Sequence, residues 1–235
     1  KNVFWQTVQD TFAYQNGAYT RWLFNTIMYA AVAGVGATII ATFAGYAIAT
    51  MRFPGRNALL AVTLAFMSIP STVITVPLFL MYSKIGLVGT PWAVIIPQLA
   101  TPFGLYLMII YAQTSIPVSL IEAAKLDGAS TWTIFWKVGF PLLSPGFVTV
   151  LLFTLVGVWN NYFLPLIMLS DTNDYPLTVG LNMWLKMGAQ GTANGQVPNN
   201  LIITGSLIAV VPLIIAFMFL QKYWQSGLAA GSVKQ

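Results

Sequence analysis

The stretch from Ile121 to Leu142, IEAAKLDGASTWTIFWKVGFPL, holds Glu122 and Asp127, two of the chain's five acidic residues, with Lys125 and Lys137 between two long apolar runs. Pro117 suits the first turn of a helix, where its missing N–H costs nothing, and Ser115 is a candidate cap before it. Leu120, Ala123, Ala124 and Asp127 follow at i, i+3, i+4 and i+7. Gly128 stands where a left-handed C′ glycine would stop that helix. Ser130 or Thr131 opens a second short helix to about Lys137, and Pro141 precedes the next apolar run. The segment is therefore a polar elbow of helix, tight turn and helix.

What surrounds the elbow is too apolar for water. The chain is 57% hydrophobic and 6% charged, with a mean hydropathy of +0.77, whereas about a quarter of the residues of a soluble domain are charged. A helix needs roughly 20 apolar residues to cross about 30 Å of hydrocarbon. The long runs between charges predict spans at about 22–51, 58–83, 92–113, 142–169 and 201–223, the third kinked early by Pro97 and Pro102. The expected fold is all-α, a polytopic transmembrane helical bundle forming one domain over 1–235, with the elbow at 117–141. Gly34, Ala37, Ala41, Ala44 and Gly45 would let the first span pack closely on its neighbours. The chain opens at Lys1 without Met or a signal pattern, and an additional N-terminal span is expected ahead of it.

Charge sets the orientation. With Met51–Asn57 inside, alternation places Arg52, Arg56, Lys125, Lys137, Lys222 and Lys234 inside, and Lys1, Arg21, Lys84 and Lys186 outside. The elbow then faces the cytoplasm and the loop Ser170–Asn200 faces out, as a vestibule lining or a solvated connector. The net charge of +5 is scattered, unlike a nucleic-acid footprint. The absence of Cys and His removes most ligands for zinc, haem and iron–sulfur centres and most thiol or imidazole catalysis. No catalytic or metal-binding residues emerge, and a membrane enzyme would need a cluster of them.

Two groups of residues are candidates for function. On the elbow, Ala123 and Ala124 lack bulk, so another protein could approach the backbone, and Glu122 and Asp127 could make charge-assisted contacts at its rim. The same pattern also suits an interfacial helix lying on lipid. Gly128 shapes the turn. In the fourth span, Trp159, Asn160 and Asn161 are the most conspicuous intramembrane polar group: amides suit sugar hydroxyls and an aromatic face suits a sugar's apolar side, while buried Asn also bridges helices. Ser68, Thr72, Thr75, Gln98 and Thr101, near prolines, either line a pathway or repair kinked backbone. No expected span carries an internal Asp, Glu, Lys or Arg, which ion-coupled transporters usually need.

The elbow resembles the EAA loop of the integral-membrane permease subunits of ATP-binding-cassette importers, E-A-A, three residues, Gly, nine residues, Ile, one residue, Leu, Pro. Glu122, Ala123, Ala124, Gly128 and Pro141 match it; Val138 stands for the Ile and Phe140 for the Leu, both apolar. NTIMYA (25–30), RFPGRN (52–57), YSKIGLVGT (82–90), VWNNYFLPL (158–166) and the tail GLAAGSVK (227–234) are similar to the carbohydrate-uptake branch, the second inner-membrane subunit of the maltose importer included. The resemblance covers essentially the whole chain. It implies the type I importer permease fold, six spans with the first missing here, and cytoplasmic coupling helices in which Glu122, Ala123, Ala124, Asp127 and Gly128 meet the ATPase.

The resemblance also implies a homologous permease, two cytoplasmic ATPases and an extracytoplasmic solute-binding protein as partners, in a bacterial or archaeal plasma (inner) membrane. This chain would hold no cofactor and perform no bond chemistry, ATP and Mg being bound by the ATPases. By analogy the tail from Ser226 to Gln235 reaches between them. The expected cargo is a sugar or related polyol. The rivals are another solute of the same family, such as glycerol phosphate or a peptide, and an ion-coupled secondary transporter with an accidental match.

Overall fold

A computed structural model describes residues 3–189 and 197–231, of which 222–231 are described as backbone alone. Regular structure among them is helical: α1 (Val3–Tyr29), a π turn (Ala30–Gly34), α2 (Val35–Thr50), α3 (Arg56–Met67), α4 (Ser71–Lys84), α5 (Pro91–Gln98), α6 (Pro102–Ser115), α7 (Val118–Leu126), α8 (Thr131–Ile134), a second π turn (Phe135–Gly139), α9 (Phe140–Trp159), α10 (Phe163–Met168), α11 (Leu177–Ala189) and α12 (Asn199–Gly231). Among the described residues, four stretches are long and apolar enough to cross a membrane: Val3–Thr50, Pro91–Ser115, Thr131–Trp159 and Asn199–Gln221. The pair Arg56–Met67 and Ser71–Lys84, bent by 104°, makes a fifth if counted as one span. Lys1, Lys234 and the end of the tail lie outside the described residues, as does part of the loop Ser170–Asn200.

Several helix limits differ from those the hydropathy runs predict. Helix extends back to Val3, and its buried residues Thr7 and Thr11 satisfy their hydroxyls on carbonyls four residues earlier. It is interrupted at Gln15, Asn16 and Gly17, all in the left-handed region. The run 58–83 is two helices. At Ser68 and Ile69 the amides tighten to i−3 bonds on Ala65 and Phe66, and Pro70, which has no N–H, cannot carry the helix on. The run 92–113 is likewise divided between α5 and α6, where Thr101 caps α6 by accepting from the Gly104 amide at 3.1 Å, with Pro102 in the first turn. Ser68 and Thr75 donate to the carbonyls of Leu64 and Ser71, so their hydroxyls serve backbone.

The chain divides into two compact units. The first comprises Lys1–Ala33, Ser71–Pro97 and Val156–Phe217. Its centre is aromatic: Trp22 and Trp184 meet at 5.0 Å between ring centroids, with Tyr19 stacked on Trp184 at 6.2 Å. A side chain on Gly180 would fall 2.2 Å from the Trp22 ring, so only glycine lets α11 lie against it. The segment 172–177 is tied to α1. Trp22 Nε1 donates to the Thr172 carbonyl at 2.8 Å, Tyr29 Oη to Asp174 at 2.8 Å, Asn25 Nδ2 to Asn173 at 2.6 Å, and the Leu177 amide to Thr26 Oγ1 at 2.8 Å. That part of the loop is therefore an anchored structure rather than a loose connector.

The second unit comprises Gly34–Pro70, Gln98–Leu155 and Met218–Gln235. Here α2 and α6 run side by side in the same direction: Gly36 faces Leu99, and Gly45 approaches Met108 so closely that a Cβ would lie 2.6 Å from the Met108 Cβ. Helix α9 runs the opposite way, with Thr154 beside Thr38 and Gly139 beside Tyr46. Ala37 and Ala41 are buried, as small residues at close helix crossings should be. One consequence positions the elbow. The ends of α2 and α6 and the start of α9 lie together, so Arg52, Arg56, Lys125 and Lys137 gather at one end of this unit.

Candidate coupling site

The elbow stands at that basic end. Only Ile116 and Pro117 separate α6 from α7, and Pro117 itself is the N-cap, with φ −63° and ψ 132° and no side-chain cap. Ser115 belongs to α6 and does not cap α7. Helix α7 rests on the core through Ile121, which is buried with Tyr46, Met108, Ile116, Ile134 and Phe135. The side of α7 that packs on the core is Ile121 with Ala124, while Leu120, Ala123 and Asp127, which share the i, i+3, i+4, i+7 pattern with Ala124, are exposed.

The turn is a Schellman motif, and its hydrogen bonds account for the residue choices. The Ala129 amide donates to the Ala124 carbonyl at 3.0 Å and the Gly128 amide to Lys125 at 3.0 Å. Gly128 has φ +77°, the left-handed conformation expected of a C′ glycine. A side chain there would meet nothing within 4 Å, so the demand for glycine is conformational. Ala124 and Ala129, the C3 and C″ residues, both pack against the core. Ser130 then caps the next helix, its Oγ accepting from the Thr133 amide at 3.2 Å.

The second arm departs from expectation. Helix α8 does not end before Pro141 but runs through the π turn into α9, giving one continuous helical stretch Thr131–Trp159. Phe140 donates to the Phe135 carbonyl five residues back. Widening the turn there relieves the clash that the Pro141 ring would otherwise make with the carbonyl four residues earlier. The elbow is thereby fused to a span. Phe43, Phe135, Trp136 and Phe140 pack around this arm, with Phe43 and Phe135 stacked at 4.8 Å.

What faces outward is mixed. Glu122, Ala123, Lys125, Asp127 and Gly128 are exposed, whereas Ala124 is half-buried and turned to the core. Val118, Glu122 and Leu126, four residues apart, form an exposed stripe, and Leu126 is 89% exposed. Leu126 gave no signal in the sequence, because a leucine in an apolar chain looks like core. The arrangement presents a carboxylate and a large apolar side chain on a braced helix, with no groups disposed for bond chemistry.

The other candidates sit in the first unit. Trp159 is buried, Asn160 exposed and Asn161 half-buried. They do not lie deep in a continuous helix: α9 ends at Trp159 and α10 begins at Phe163. Asn160 Nδ2 donates to the Val156 carbonyl at 2.9 Å, while Asn161 Oδ1 accepts from the Leu164 amide at 3.3 Å. Thr178 Oγ1 donates to the Asn161 carbonyl at 2.8 Å, and Tyr162 Oη to Asn182 Oδ1 at 2.9 Å, so α11 adds polar groups to this break.

Comparison with known proteins agrees with this architecture. The family model described as "Binding-protein-dependent transport system inner membrane component" matches residues 37–229. The chain is similar to the arabinooligosaccharides transport system permease protein AraQ of Halalkalibacterium halodurans, at 32% identity over 96% of this chain and 79% of that protein. It is also similar to the melibiose/raffinose/stachyose import permease protein MelC of Bacillus subtilis, at 30% over 89% and 74%. Among solved structures, a bacterial ABC transporter involved in the import of the acidic polysaccharide alginate matches with TM-score 0.77 and 26% identity, over 94% of this chain and 78% of that one. The family implies a multi-pass inner-membrane protein that works with a partner permease, an ATPase and a binding protein. The chain belongs to the inner membrane components of binding-protein-dependent transport systems, the permeases of ATP-binding-cassette importers.

Proposed function

We propose that the chain forms half of the translocation pathway of an importer for a sugar or related polyol, and that a cytoplasmic ATPase drives it through α7 and its glycine turn. Relatives named for arabinooligosaccharides and for melibiose, raffinose and stachyose support the cargo class. The observation that carries the coupling role is the exposed stripe Val118, Glu122 and Leu126 on a helix braced by Ile121 and Ala124 at the basic end of its unit. A rigid helix with an outward carboxylate and an apolar knob fits a cleft that offers a cation and a hydrophobic pocket. Lipid headgroups would favour Lys and Arg, not Glu122 and Asp127, on such a face.

Glu122, Ala123 and Asp127 would then touch the ATPase, while Ala124 and Gly128 would hold the shape it grips. The assembly would contain this chain, a homologous permease, two ATPases and an extracytoplasmic solute-binding protein, with ATP and Mg held by the ATPases. Trp159, Asn160 and Asn161 would contact the cargo. Of these, Asn160 is the best placed, since it is exposed beside the break between α9 and α10.

The test is reconstitution of the purified complex in proteoliposomes with its binding protein. Sugar uptake that needs ATP, with Glu122→Ala losing both uptake and the co-purifying ATPase, supports the reading. Uptake by this chain alone on an ion gradient, or uptake of glycerol phosphate or peptide but not sugar, contradicts it.

A further inference from the structure

We propose that the cleft between the end of α2 and the start of α3 binds the phosphate of an anionic phospholipid, with the acyl chains laid along the exposed face of α3. The cleft, about 430 Å³ in volume, is lined by Arg52, Phe53, Gly55, Arg56, Asn57 and Ala58. No carboxylate lines it, so its two guanidinium groups face no intrachain acid there. Arg56 is half-buried, and its Nη2 donates to the Ala49 carbonyl at 3.4 Å, which holds the group in the wall. Arg52 is exposed at the same mouth. A side chain on Gly55 would meet no atom within 4 Å, so the space above it is open. The planar fork of arginine matches phosphate oxygens in a bidentate way.

A soluble anion would need the mouth alone. Beyond the mouth, however, the surface turns apolar: Leu59, Val62 and Phe66, at i, i+3 and i+7 on α3, are 45%, 50% and 49% exposed. Phe53, 38% exposed, stands at the mouth itself. A charged mouth leading onto an apolar helix face fits an amphiphile. The cleft belongs to the same basic end of the second unit as Lys125 and Lys137. By the positive-inside bias that end meets the cytoplasmic leaflet, where anionic lipids attract Lys and Arg. The proposal is independent of the coupling role of α7, because none of its residues lines the cleft.

The test uses the purified, delipidated complex in detergent, with bound lipid counted by native mass spectrometry. It is titrated with phosphatidylglycerol, with phosphatidylcholine of the same chains, and with inorganic phosphate. The tightest phosphatidylglycerol adduct should weaken about fivefold in Arg52→Gln, while phosphatidylcholine binding stays unchanged and millimolar phosphate leaves the lipid in place. Arg52 is exposed and makes no hydrogen bond among the described residues, so this variant should fold. Arg56→Gln, which also releases Ala49, should weaken the same adduct at least as much. Equal phosphatidylglycerol affinity in wild type and Arg52→Gln would overturn the proposal, as would equal weakening of phosphatidylcholine. Displacement of the lipid by inorganic phosphate would make the cleft a soluble-anion site and overturn the lipid assignment.

Discussion

The hydroxyls of Thr38 and Thr154 lie 2.9 Å apart, and both reach the carbonyl of Gly34, at 2.7 and 3.1 Å. Each hydroxyl has one proton, and Thr154 also has the Val150 carbonyl within 2.9 Å, so acceptors outnumber donors. The pair joins α2 to α9 just past the first π turn, where Gly34 leaves room for Leu155. With no water to compete, such a bond holds two apolar helices in one register.

Replacing Thr154 with Val keeps the shape and removes the shared hydroxyl. We expect a loss of about 1 kcal/mol, and a similar loss for Thr38→Val. The double variant should lose less than the sum, with a coupling of about 0.6 kcal/mol, read by thermal unfolding in detergent. Strict additivity would show that the two hydroxyls do not act on each other.

At the elbow, cost should follow backbone strain rather than side-chain size. Because the space at Gly128 is open, Gly128→Ala and Gly128→Leu should each cost about 1 kcal/mol, and Gly128→Asn less. Uptake should fall in the same order while membrane insertion holds. A Leu variant much worse than Ala would mean that a neighbour occupies that space.

Asn160 and Asn161 should separate under mutation. Asn161→Ala removes the group that accepts from the Leu164 amide and should cost about 1 kcal/mol in stability. Asn160→Ala, at an exposed side chain bonded only within its own turn, should leave thermal stability nearly unchanged yet raise the KM for uptake. An unchanged KM would remove Asn160 from the substrate path.

The elbow was legible because its grammar is local. A glycine for a left-handed turn and a serine two residues later as a cap specify two helices whatever surrounds them. The span limits were less so. Pro141 reads as a stop, yet the π turn at Phe135–Gly139 carries the helix past it, and π turns have no residue signature. Asn160 and Asn161 read as polar residues inside one span, whereas the helix ends between Trp159 and Phe163. The difference between Ala123 and Ala124 was hidden for a related reason: periodicity finds a face, but only the packing of Ile121 tells which alanine rests on the core. Leu126 and the Arg52 and Arg56 cleft depend on what the fold leaves uncovered, which no local pattern records.

The chain contains no Cys, so a single introduced thiol is an unambiguous probe of where the elbow points. The most direct test is labelling of Leu126→Cys by a membrane-impermeant maleimide in sealed vesicles of both orientations, with and without the ATPase bound. The account predicts labelling only in inside-out vesicles, and protection by the ATPase. Labelling in right-side-out vesicles, or labelling that the bound ATPase leaves undiminished, would contradict it.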